Sequence, residues 1–108
     1  MKLVSFNVNG IRASVNKGLV ASLKMIAADV YCFQETKATP EQVGEALKGM
    51  EGFHLHAHGA EKPGYSGTAI LSREEPARVD FGIPDEHDHN KEGRVITLEY
   101  KDFIVIKR

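Results

Sequence analysis

Asn7 and Glu35 each close a short apolar run: Leu3-Val4-Ser5-Phe6 before the first, Val30-Tyr31-Cys32-Phe33-Gln34 before the second. If the two runs are neighbouring strands, an amide and a carboxylate meet at one edge of a sheet. Hard divalent cations take oxygen ligands of this kind. Asn9 stands just beyond Asn7, and Lys37 just beyond Glu35. Lys37 and Arg12 offer cations to phosphate oxygens. Strand ends also carry polar residues simply because they face water, and spacing alone leaves both readings open.

A second constellation is Pro63-Gly64-Tyr65-Ser66-Gly67, an aromatic in a glycine-rich turn before an apolar strand. Tyr65 could pack on a sugar or base, as aromatics do when they grip nucleic acid, or merely cover a sheet edge. A third is histidine: His54, His56 and His58 alternate along one strand face, and His87 and His89 sit in the polar stretch Glu86-His87-Asp88-His89. Zinc needs such ligands at fixed tetrahedral spacing. Neither a supporting cysteine nor a helical histidine pair is present, so both groups are expected to be solvated. Phosphate-cradling glycine loops, a nucleophile elbow and a Cys–His arrangement are absent.

The elements that must position these residues can be read from periodicity. Residues 2–8 are β-prone and stop at Asn9-Gly10, a turn signal. Leu19, Leu23 and Ile26 fall on one helical face. Residues 29–34 are almost wholly apolar, as in a strand buried on both faces. A helix between two such strands suggests a crossover unit. Thr39-Pro40-Glu41-Gln42 is a capping box with proline at the first helical position. Val43, Ala46, Leu47 and Met50 continue as an apolar stripe, which Gly49 and Gly52 close. From residue 53 the period changes to two. Further strands are expected at 67–72, 77–81, 93–100 and 103–107, with turns at Pro63-Gly64, Glu75-Pro76, Ile83-Pro84 and Lys101-Asp102. The pattern is α/β in the first half and a β-meander in the second.

At 108 residues, 42% hydrophobic and 27% charged, the chain suits one modest soluble core. One cysteine excludes an internal disulfide, and Cys32, set in an apolar run, reads as a small buried hydrophobe. A reducing, cytoplasmic setting fits. The net charge of −1 excludes a global basic field for nucleic acid. It leaves room for an enzyme that holds an anionic substrate through a metal and a few placed cations. No apolar run approaches the roughly 20 residues of a membrane span, and the N-terminus lacks a signal-peptide pattern.

Leu3-Val4-Ser5-Phe6-Asn7-Val8-Asn9-Gly10-Ile11-Arg12-Ala13 resembles the opening of the exonuclease III family, the bacterial apurinic/apyrimidinic endonucleases of the endonuclease/exonuclease/phosphatase superfamily. The resemblance continues in order through Phe33-Gln34-Glu35-Thr36-Lys37, Gly64-Tyr65-Ser66-Gly67, Leu71-Ser72-Arg73 and Glu92-Gly93-Arg94-Val95-Ile96. It implies an α/β (α+β) fold, a two-sheet β-sandwich flanked by helices. It also implies Mg²⁺-dependent hydrolysis of phosphodiesters in double-stranded DNA, at abasic sites or 3′ ends, with Mn²⁺ as an alternative ion. By the resemblance Glu35 is the metal-binding glutamate, and Asn7 the asparagine beside metal and scissile phosphate. Asn9 matches a position that takes Asn or Asp. Lys37 and Arg12 look like its phosphate-facing cations, and Tyr65 like a DNA-contacting tyrosine. Phe6 stands where the family usually has tryptophan.

The family's later Asp-x-Asn and Asp-His motifs, which supply the water-activating base, have no counterpart in place. Asp88-His89-Asn90 spells both but lies in a polar stretch and is expected to be a solvated loop. Residues 1–108 are therefore expected to be the N-terminal portion of such a domain, apparently truncated, binding Mg²⁺ weakly and not cleaving DNA. Strand 103–107 would be an unpaired edge, and the inner face of its sheet would lack a covering second sheet. Self-association, or pairing with a missing C-terminal half, would follow. Two rival readings are another phosphatase or phosphodiesterase of the superfamily, and a non-catalytic half-domain that binds a partner. The Gly-Tyr-Ser-Gly and Glu-Gly-Arg blocks favour the DNA branch.

Overall fold

Strands β1 (Leu3–Asn7) and β2 (Val30–Gln34) pair in parallel, with Asn7 opposite Gln34. The structure is a computed structural model and describes residues 2–81, 96–101 and 103–107. Helices α1 (Ile11–Asn16) and α2 (Leu19–Ile26) form the crossover between these strands, as a parallel pair requires. After β2, helix α3 (Pro40–Ala46) leads to β3 (His54–His58) and β4 (Thr68–Ser72). Strand β4 inserts between β2 and β3, antiparallel to both, so the first sheet runs β1-β2-β4-β3. Strands β5 (Arg78–Phe81), β6 (Ile96–Glu99) and β7 (Ile104–Lys107) form a second, antiparallel sheet in the order β5-β6-β7.

The alternation of β2 divides the core in two. Tyr31 and Phe33 face the helices, where Ile11, Leu23, Val43 and Leu47 cover them. The Tyr31 hydroxyl is satisfied there, donating to the Leu23 carbonyl at 2.6 Å and accepting from the Ala28 amide at 2.9 Å. Val30 and Cys32 face the other way, with Ile70, onto Ile96, Leu98 and Val105 of the second sheet. The expected two-sided burial of β2 and the buried Cys32 are both found. Burial pushes the Cys32 thiol up, which suits a packing residue and not a nucleophile.

The capping box is present. The Gln42 amide donates to Thr39 Oγ1 at 3.2 Å, and the Thr39 amide to Gln42 Oε1 at 2.9 Å. Helix α3 nevertheless stops at Ala46, and Met50 reaches the core from beyond it. Helix α1 was not anticipated from the sequence. The meander starts at β5, because β3 and β4 complete the first sheet.

Two expectations about exposure are corrected. Leu55 and Ala57 pack on the helix side, so His54, His56 and His58 point to the side of the sheet that faces β5–β7. His56 Nε2 is buried with no hydrogen-bond partner, and burial, then His54, lowers its pKa, with Glu75 opposing. The inner face of the second sheet is also covered: Val105 and Lys107 are buried against the first sheet. It is the outer face of β7 that is bare, with Ile104 59% and Ile106 63% exposed. Among the described residues β7 is a sheet edge, as expected. Readings that fall on residues 83–84, 86–90, 92–95 and 102 lie outside the described residues. No helix among the described residues is long and apolar enough to cross a membrane.

Candidate metal and phosphate site

The site forms where β1 and β2 end together. Their backbone ladder continues past both strands: Val8 N–H donates to the Gln34 carbonyl at 3.0 Å, Gly10 to Glu35 at 2.8 Å, and Ile11 to Thr36 at 2.9 Å. The ladder holds Glu35 beside Asn7, whose Nδ2 donates to Glu35 Oε2. Asn7 Oδ1 accepts from the Asn9 amide at 2.8 Å, closing an Asx turn. Lys37 Nζ donates to Asn9 Oδ1 at 2.6 Å and lies 3.9 Å from Glu35 Oε1. Asn7, Asn9, Glu35 and Lys37 therefore form one connected polar ring. Arg12 joins it indirectly, donating through Nη2 to the Lys37 carbonyl at 3.1 Å.

Tyr65 arrives from a distant part of the chain. The Thr36 amide donates to the Gly67 carbonyl at 3.1 Å, and the Lys37 amide to the Ser66 carbonyl at 2.7 Å. These bonds clip the Gly64–Gly67 turn onto the segment after β2. Gly67 is required here: its φ is +91°, and a Cβ would overlap Thr36 Oγ1. The resulting cleft, about 450 Å³, is lined by Glu35, Lys37, Gly64, Tyr65 and Ser66.

Backbone strain concentrates here. Five non-glycine residues among those described have positive φ, and four of them are Asn9 (46°), Glu35 (53°), Lys37 (51°) and Ser66 (53°). Asparagine tolerates this region, but for the others it costs roughly 1–2 kcal/mol each. Such strain persists where surrounding contacts over-determine it, and the backbone bonds of Glu35, Lys37 and Ser66 do so. Periodicity does not reveal this feature. The one sequence signal for the close approach is the paired glycine in Gly64-Tyr65-Ser66-Gly67.

The donor set is all oxygen and holds a single carboxylate. Glu35 is 42% exposed and Lys37 40%. No group of three or more His, Cys, Asp or Glu side chains able to hold a metal occurs among the described residues. That arrangement does not suit a closed zinc site. It suits a hard cation such as Mg²⁺, which keeps several waters and takes one or two carboxylates. The residues present fit such an ion, held loosely.

The parallel strand pair of this two-sheet α/β fold thus ends in a carboxylate flanked by lysine. The chain belongs to the Endonuclease/Exonuclease/phosphatase family, whose model matches residues 4–107. It is 46% identical over 107 residues to an exodeoxyribonuclease of Bacillus subtilis, covering 98% of this chain and 41% of that protein. It is 42% identical over 108 residues to the DNA repair nuclease APEX1 of Danio rerio, covering 34% of that protein. The fold superposes on an AP endonuclease from Archaeoglobus fulgidus with a TM-score of 0.82 at 35% identity, covering 98% of this chain and 39% of that one. The chain thus spans about two fifths or less of the length of these relatives. The expected two-sheet architecture and family are both shown.

Proposed function

We propose that this chain carries the metal- and phosphate-binding part of a DNA-repair nuclease of the exodeoxyribonuclease III and AP endonuclease type. The substrate would be double-stranded DNA at abasic sites or 3′ ends. The observation that carries the reading is the connected ring of Asn7, Asn9, Glu35 and Lys37 at the strand ends. The relatives' names, a DNA repair nuclease and an AP endonuclease, support the DNA substrate. The single buried cysteine fits a reducing compartment, the cytoplasm.

Glu35 and Asn7 would hold Mg²⁺ or Mn²⁺. The bound ion would neutralise charge on the phosphate and stabilise the leaving oxygen. The chain's own residues do the positioning. Asn7 fixes the carboxylate of Glu35 through its amide, and Asn9 aims the ammonium of Lys37 across the cleft. Lys37 draws a phosphate oxygen to the mouth of the site, and Arg12 braces the backbone that carries Lys37. Tyr65 offers a ring to the sugar or base. Among the described residues Glu35 is the one carboxylate lining this cleft and would be committed to the ion, which leaves no second carboxylate there to deprotonate water. The 108-residue chain by itself is therefore expected to bind the ion weakly and to leave DNA intact.

Titration of Mn²⁺ into the chain, read by paramagnetic broadening of the Asn7 side-chain amide, tests this. Saturable broadening should weaken at least tenfold in Glu35→Ala. Broadening unchanged in that variant overturns the assignment. Nicking of an abasic duplex, sensitive to EDTA and lost in Glu35→Ala, would overturn the expected inactivity.

A further inference from the structure

A second cleft opens beside the first, at the same edge of the β1-β2-β4-β3 sheet. It measures about 240 Å³ and shares Gly64 and Tyr65 with the site cleft as a common wall. Three elements contribute to its other walls, with Pro40 at the start of α3, Ala57 and His58 at the end of β3, and Phe81 at the end of β5, and the segments flanking them complete it. The rings of His58 and Phe81 meet edge to face, with centroids 5.7 Å apart. Phe81 remains 51% exposed. At the rim, the Lys62 ammonium lies 5.5 Å over the centre of the Tyr65 ring.

These features define a narrow class of occupant. The cleft is smaller than the roughly 300–1,000 Å³ of sites for drug-sized ligands, so it takes one ring system and little more. Its walls are mostly apolar and aromatic, and among the described residues no carboxylate lines it. An exposed aromatic in a concave wall offers a flat face for stacking, and every nucleobase has a π-face. Lys62 sets a positive charge at the rim next to Tyr65, the residue that separates this cleft from Glu35 and Lys37. A chain with alternating anionic and planar aromatic groups matches this order of charge and ring.

We propose that the second cleft is a nucleobase subsite. It takes one unstacked base from the nucleotide at, or next to, the phosphate drawn in by Lys37, and Lys62 meets the intervening backbone. The proposal rests on the nucleic-acid reading of the neighbouring site and extends it to Pro40, His58, Lys62 and Phe81.

The test uses the 108-residue chain and two short single-stranded oligonucleotides, with no divalent ion. One carries a single 2-aminopurine; the other has that base replaced by a tetrahydrofuran abasic analogue. Binding is read by anisotropy of an end label, and the environment of the base by 2-aminopurine emission. Phe81→Ala should weaken binding of the base-containing strand about tenfold and change the abasic strand less than twofold. Phe81→Trp, which keeps a ring, should retain binding. The 2-aminopurine emission should change on binding to the native chain and not to Phe81→Ala. Equal weakening of both strands, or of neither, overturns the subsite, as does unchanged emission. The Mn²⁺ titration of Glu35→Ala is independent of this measurement. If Phe81→Ala discriminates while Glu35→Ala leaves the ion bound, the subsite stands and the metal assignment fails. The reverse pattern leaves the metal site and removes the subsite.

Discussion

Glu35 does two jobs with opposite demands on the backbone. Its carboxylate must sit beside Asn7, yet its φ of 53° lies where a side chain is disfavoured. A stability measurement can separate the two. At ordinary positions glycine is less stable than alanine by roughly 0.5–1 kcal/mol. At Glu35 the order should reverse, with Glu35→Gly more stable than Glu35→Ala by about 1 kcal/mol in urea denaturation, because both lose the carboxylate and only alanine keeps the strain. The usual order would mean that the left-handed backbone is not maintained. Asn7 and Glu35 are legible in the sequence because each stands where a short, mostly apolar run gives way to polar residues. The partners of Thr36 and Lys37 in the Gly64–Gly67 turn are not. That contact joins segments whose spacing carries no period, and it depends on β4 docking beside β2.

Local signals worked where the element is stabilised locally. Helix α3 was legible because Thr39, Pro40 and Gln42 satisfy its first turn with their own atoms. Helix α1 has Gly10 at its N-cap, no side-chain cap, and Ile11 as its one buried residue. It owes its form to the backbone bonds that tie Gly10 and Ile11 to the end of β2, which no local pattern announces. The histidines of β3 show the limit of alternation, which separates two faces but does not say which one meets water. The second sheet decides that, and it has a consequence for pH. Histidine ordinarily titrates at about 6.5, and burial lowers His56 below that, helped by His54 and opposed by Glu75. As pH falls through 6.5 the unfolded chain takes up a proton that the folded chain resists. Stability contributed by neutral His56 is therefore present above pH 6.5 and declines below it. Thermal denaturation at pH 7.5 and 5.5 should show a drop in Tm that is smaller in His56→Asn. An equal drop in both would place the pH sensitivity elsewhere.

The two sheets close on each other through Val30, Cys32, Ile70, Ile96, Leu98 and Val105, and among the described residues the outward side of β7 keeps Ile104 and Ile106 exposed. An edge strand with unpaired backbone groups and exposed isoleucines templates pairing with another chain. The 108-residue chain should therefore associate as its concentration rises. Replacing Ile104 and Ile106 together with lysine should keep it monomeric in sedimentation velocity at unchanged Tm, since neither side chain is buried. Wild type that stays monomeric at the same concentrations would show that β7 is protected. The order β1-β2-β4-β3 also constrains how the molecule assembles. Strand β4 pairs with β2 on one side and β3 on the other, so the Gly64–Gly67 turn that precedes it reaches the segment after β2 when β4 takes its place. The amides of Thr36 and Lys37 acquire their acceptors only at that moment. The candidate site is thus complete only when β4 lies beside β2. Slowed hydrogen exchange at those two amides would record the docking event itself.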